Sequence, residues 1–123
     1  MDTALWIIQI FLALSFATTG LLKLTQPRER LAPKLAWVED FSDAQVKAIG
    51  GLELAGAIGL VLPPALDVAP VLVPLAAAGL VLTMIGAAAT HLRRGEPSFL
   101  PLNLILGALA LFVAIMRFGP ESF

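Results

Sequence analysis

Four apolar stretches, each about as long as a bilayer is thick, occupy most of the chain and leave little choice of fold. A helix crosses the hydrocarbon core with about 20 mostly apolar residues. Runs beginning at Ala4, Val46, Val68 and Phe99 each approach that length. The expected spans are roughly 4–24, 43–62, 68–92 and 99–118, set by apolar length and helix-breaking residues. Between the first two lies a polar stretch, Thr25 to Asp43, with Pro27, Pro33 and a dense group of charges. Pro63 and Pro64 are expected to stop the second helix. Pro70 and Pro101 suit first helical turns, where a missing N–H costs least, whereas Pro74 lies far enough in to kink the third helix near its start. Short second and third connections imply antiparallel neighbours, so the expected fold is all-α: a single transmembrane domain, residues 1–123, forming an up-down-up-down four-helix bundle.

Composition supports a membrane setting. Of 123 residues, 59% are hydrophobic and 14% charged, too little polar surface to cover a small soluble domain. The first span opens on Asp2 without a basic cluster, and no small-x-small cleavage signature follows a short apolar core. It reads as a retained transmembrane helix and not as a signal peptide. The absence of cysteine excludes disulfides, thiolate catalysis, zinc–thiolate sites and iron–sulfur ligation. A single histidine excludes a bis-His haem within one chain. A net charge of −1 offers nothing to a nucleic acid.

Polar residues inside the spans are the candidates for function. Small and polar residues align as stripes: Gln9, Ala13, Phe16, Gly20 and Lys23 in the first helix, and Gly51, Ala55 and Gly59 in the second. Gly79, Thr83, Ala87 and His91 align in the third, and Asn103, Gly107, Ala110, Ala114 and Arg117 in the fourth. Such faces let helices approach closely in lipid, where there is no hydrophobic drive to pack them. Glu53 stands apart as the only acid within an apolar run, at a cost of about 2.5–3.5 kcal/mol on insertion scales. It lies ~9 Å deeper than Lys47, a depth that Thr18, Thr19 and Asn103 share on neighbouring helices. Lys23 and His91 lie nearer the surface and reach it only with a bent side chain or a bridging water. A carboxyl isolated at that depth is expected to be protonated, either fixing helix register or carrying a proton or ligand. His91, beside Thr90 and ahead of Arg93 and Arg94, reads as a helix-end residue, as a proton acceptor at the cytoplasmic mouth or as a donor to a quinone carbonyl.

The loop between the first two helices has its own signals. Leu31, Leu35, Trp37, Val38 and Phe41 alternate with charged residues and suit the headgroup region, with Trp37 and Trp6 as interfacial anchors on opposite faces. Ser42 followed by Gln45 has capping-box spacing for the start of the second helix.

Several stretches together resemble a known family. Gly20-Leu-Leu-Lys-Leu24 ends the first helix, and the run from Ile49 through Glu53 to Pro63 forms the second. Met84 to His91 and Arg94-Gly-Glu96 close the third, and Pro101-Leu-Asn-Leu104 opens the fourth. In order and spacing these resemble the DoxX-like family of small four-helix membrane proteins. The resemblance implies association with membrane oxidoreductase systems that use quinones. It brings no catalytic residues with it. The expected function is an accessory or ligand-binding subunit, not an enzyme by itself, with no intrinsic cofactor and a quinone, lipid or protein as its partner. Membrane lipids and a second copy of the chain are the other expected partners. A small proton-coupled transporter using Glu53 is the alternative. Against it, only Trp6 and Trp37 offer strong cation–π faces.

Orientation follows from the basic residues. Lys23, Arg28, Arg30, Lys34, Lys47, Arg93 and Arg94 flank the first and third loops, and Arg117 alone lies on the other side. Seven against one places both loops in the cytoplasm and both termini outside an inner (cytoplasmic) membrane. Reporter fusions after Glu121 and within the first loop should therefore report opposite sides, and a cytoplasmic C-terminus overturns the assignment.

Overall fold

The computed structural model describes residues 2–26, 41–69, 71–95 and 100–119. Trp37, Arg28, Arg30, Lys34 and Pro70 lie outside the described residues, as do Leu31, Leu35 and Val38. Four helices follow in order: α1 (Asp2–Thr25), α2 (Asp43–Ala65), α3 (Leu72–Arg94) and α4 (Leu100–Phe118). Each is long and apolar enough to cross a membrane. Their outward faces carry Ile7, Leu14, Leu52, Leu82 and Leu104, all well exposed to the surroundings and suited to lipid. Leu5, Leu12, Phe16, Leu60, Val73, Leu80 and Val113 meet in a shared core. The result is an all-α four-helix membrane bundle.

The helix ends follow local chemistry. Ser42 caps α2: its Oγ accepts from the Gln45 backbone N–H at 3.1 Å, and Gln45 Oε1 accepts from the Ser42 N–H at 2.9 Å. The expected capping box is formed. The expected stop at Leu62 is not, because α2 runs on through Pro63 and Pro64 to Ala65. A proline removes the hydrogen bond to the carbonyl four residues earlier, and in a last turn that loss is tolerable when another donor fills in. For Pro64 the orphaned carbonyl is that of Leu60, and the Gln9 side-chain Nε2 donates to it at 2.7 Å. The third helix starts at Leu72, later than expected, because Asp67 (φ 55°) and Ala69 (φ 43°) adopt left-handed backbone in the preceding turn. Pro74 consequently falls within the first turn of α3, where its missing N–H needs no partner, so a kink has no cause there. At the other end Gly95 takes φ 68° and closes α3 with a left-handed cap.

Packing corrects two of the expected stripes. The inward faces of α1 and α4 are as anticipated, with Gln9, Phe16, Gly20 and Lys23 buried on one and Ala110, Ala114 and Arg117 on the other. On α2, however, the buried face carries Val46, Gly50, Glu53, Ala57 and Leu60, while Ala55 is exposed. Gly50, not Gly51, makes the close approach. A β-carbon on Gly50 would lie 2.7 Å from Lys23 Cβ and 2.8 Å from the Gly20 carbonyl oxygen; one on Gly20 would lie 2.7 Å from the Gly50 oxygen. Gly59 still serves packing, since a β-carbon there would come within 2.9 Å of Ala76 Cβ. On α3 the buried face is Val73, Ala77, Leu80, Met84 and His91; Gly79 has open space where a β-carbon would be. Small residues signal a permissive face, but successive positions differ by about 100° around a helix, so spacing alone left two adjacent faces open.

We expect Gly20→Leu and Gly50→Leu each to destabilise the bundle by about 1–3 kcal/mol through overpacking. Gly51→Leu and Gly79→Leu should stay within about 0.5 kcal/mol of the parent. Thermal unfolding in detergent makes the comparison, and equal losses at all four positions would contradict the crossing.

Candidate functional site

The Gly20–Gly50 crossing decides what Glu53 meets. A β-carbon on Gly50 would lie beside Lys23 Cβ, so Glu53, three residues further along α2, is offset from Lys23 by only ~5 Å along the bundle axis. Each Cα–Cβ bond tilts toward its own helix N-terminus. Because α1 and α2 are antiparallel, Lys23 leans inward and Glu53 leans outward, and the two side chains converge. Lys23 Nζ donates directly to Glu53 Oε1, and both residues are buried. Thr19 Oγ1 donates to the other carboxylate oxygen, Oε2, at 2.9 Å and also lies 3.3 Å from the Phe16 carbonyl. The expectation that Lys23 would need a water or a contorted side chain is thus corrected, and so is the picture of an isolated acid. An ammonium beside the carboxyl supplies the counter-charge that an isolated carboxylate would lack.

The other anticipated residues do not join this group. Thr18 Oγ1 donates back to the Leu14 carbonyl at 2.7 Å on an exposed face. Asn103 Nδ2 donates to the Met84 carbonyl at 3.1 Å, tying α4 to α3, with Met84 Sδ 3.7 Å away. His91 is buried in the last turn of α3, where it lines a cavity.

The lining of that cavity comes mostly from α2 and α3. The cavity has a volume of about 1150 Å³ and follows the α2–α3 seam, with Gly56, Gly59, Ala76 and Leu80 in its lining. Its walls are mostly apolar, from Ile49, Leu52 and Leu75 among others. Leu52, Leu75 and Leu82 line it and are themselves half or more exposed, so the groove is open along its side. Lys23, His91 and Arg93 bring charge to one end. Small-molecule pockets generally occupy about 300–1,000 Å³, with mostly apolar walls and a few placed polar groups. Lys23 belongs to both features: it closes the buried pair and lines the groove.

A second polar cluster, at the opposite end, was not anticipated as a unit. Arg117 is buried; its Nε donates to Gln9 Oε1 at 2.9 Å and its Nη1 to Asp2 Oδ1 at 2.8 Å. Gln9 in turn donates to Leu60, the carbonyl left open by Pro64. Three helices are joined through one glutamine. The sequence did carry a signal for this, a proline pair late in a helix with an intramembrane amide opposite.

Comparison with known proteins yields one result. The model of the DoxX-like family matches residues 7–113, from within the first helix to within the fourth. The chain belongs to the DoxX-like family. Neither a curated protein nor a solved structure matches it significantly. Within this DoxX-like membrane protein the matched region contains the Lys23–Glu53 pair and the whole groove.

Breaking a buried pair leaves a charge uncompensated, whereas replacing both partners by apolar groups is often neutral. Lys23→Met should therefore cost this DoxX-like protein about 3–5 kcal/mol, and Lys23→Met combined with Glu53→Leu should recover most of it. Unfolding in detergent provides the double-mutant cycle, and additive losses would refute direct coupling.

Proposed function

We propose that this DoxX-like protein is a non-catalytic membrane subunit that holds a membrane-soluble amphiphile, of the lipid or quinone class, in the α2–α3 groove. The observation that carries this reading is the groove itself: about 1150 Å³, apolar along its length, open at the side and polar at one end. A ligand already dissolved in the bilayer enters such a groove laterally, without crossing a water layer. The seven-to-one distribution of basic residues favours a cytoplasmic position for the polar end. Association with a membrane oxidoreductase is supported by family membership alone.

The pairing of Glu53 with Lys23 and Thr19 supports an anchoring role for the acid over a proton-carrying one. Its two carboxylate oxygens are each engaged by α1, an arrangement that fixes helix register and sets Lys23 against the groove wall.

Gly79 and Gly86 line the groove and have open space where a β-carbon would be. Gly79→Phe and Gly86→Phe together should occupy the groove without disturbing the core. Mass spectrometry of lipids and quinones retained through gentle purification should show one class reduced at least severalfold, at unchanged thermal stability. An identical retained profile in parent and variant argues against the groove as a binding site.

A further inference from the structure

The groove is as long as a membrane is thick. Leu72, Leu75, Gly79, Leu82, Gly86 and Ala89 line it in successive turns of α3, and Arg93 closes the series. From Leu72 to Arg93 the helix rises ~32 Å, against a hydrocarbon core of roughly 30 Å. One acyl chain reaches from its headgroup layer to the bilayer midplane, about half of that thickness. The volume, about 1150 Å³, also exceeds the roughly 300–1,000 Å³ of pockets for drug-sized ligands.

The two ends of the groove differ. Lys23, Thr90, His91 and Arg93 gather at one end, in or next to the last turns of α1 and α3. Lys23 is already engaged by Glu53, so it lends this end polarity and not a charge awaiting neutralisation. At the other end Ile58, Gly59, Pro63, Leu72, Leu75 and Ala76 form the lining, without a polar side chain. Asp67, in the turn between α2 and α3, does not line the groove. A phospholipid entering from that side would lay its head against hydrocarbon, where polar groups are costly. The wall thus serves one head and a chain that continues past the midplane. Its relief bears on the kind of chain. Gly79 and Gly86 leave open space where β-carbons would be, and Leu75 and Leu82 stand out beside them. The notches recur after ~10 Å, as do the ridges. A straight chain leaves such notches empty and forfeits their dispersion contacts, whereas regular methyl branches put carbon into them.

We propose that the occupant of the groove is an amphiphile with a single polyprenyl chain, lying end to end along the α2–α3 seam with its head beside Thr90 and His91. This rests on the groove reading above and adds the chain class. Groove length selects a chain that crosses both leaflets, the single polar end selects one head, and the notched wall selects branching.

The test compares primary alcohols that share one head and differ in chain. Solanesol is long and branched, octacosanol long and straight, and farnesol short and branched; dioleoylphosphatidylcholine supplies the acyl lipid. The full chain in detergent is equilibrated with each, passed through size exclusion and extracted for mass spectrometry. Binding is the excess over the Gly79→Phe, Gly86→Phe double variant, which removes partition into the micelle. The parent should hold solanesol about tenfold more than farnesol, because more apolar surface leaves water and lipid for the wall. Octacosanol should fall severalfold below solanesol. Gly79→Phe alone, about halfway along the groove, should bring solanesol down to the level of farnesol and leave farnesol unchanged, with thermal unfolding of the same samples confirming the fold. Equal binding of solanesol and farnesol overturns the two-leaflet chain, and equal binding of solanesol and octacosanol overturns the polyprenyl class. An excess of the phospholipid alone overturns both and leaves the groove reading standing. No excess of any probe in the parent over the double variant overturns the groove reading itself.

Discussion

Lys23 and Glu53 meet buried between α1 and α2, and much of the bundle is arranged around that contact. An ionised group left alone at such depth is costly, and two such groups stabilise each other only when their geometry is fixed. Here the fixing is done by backbone contact. Gly20 and Gly50 let α1 and α2 approach until a β-carbon on either would lie within 2.8 Å of the other's carbonyl oxygen, closer than a side chain permits. The tilt of the Cβ atoms then aims the lysine and the glutamate at one another. A bulkier residue at either glycine acts on packing and on electrostatics together, because the same separation governs both.

The other end of the bundle follows the same rule with different chemistry. Pro64 leaves the Leu60 carbonyl without its helical donor, Gln9 supplies one, and the remaining amide oxygen accepts from Arg117. Asp2, largely exposed, completes the set from the surface. The two polar clusters sit near opposite faces of the membrane, with the apolar core of Phe16, Leu12, Leu80 and Val113 between them. The groove runs along the α2–α3 seam and shares Leu80 with this core and Lys23 with one of the clusters.

How much of this can be read from the residues depends on the length scale. Four apolar runs, Ser42 with Gln45, and the inward stripes of α1 and α4 depend on local periodicity, and the structure agrees with each. Glu53 stands out by its cost alone. Its partner does not, because the choice of Lys23 over Thr18 or Asn103 depends on helix register and on the opposed tilt of side chains in an antiparallel pair. The faces of α2 and α3 were ambiguous for a related reason. Gly50 and Gly51 are both small, and Gly79 is as small in an open groove as it would be in a packed seam. Glycine states what a surface permits and is silent on what occupies it.

The clasp of Asp2 and Gln9 with Arg117 joins the first helix to the last. During synthesis α1 and α2 enter the membrane early and can already lock through Gly20, Gly50 and the Lys23–Glu53 pair. Arg117 arrives only with α4, so until then Gln9 has the Leu60 carbonyl but not its guanidinium partner. The α1–α2 hairpin thus contains both members of its own ion pair, whereas the clasp needs the fourth helix. A chain lacking α4 would keep both members of that pair and leave the Gln9 amide oxygen and Asp2 without their guanidinium partner.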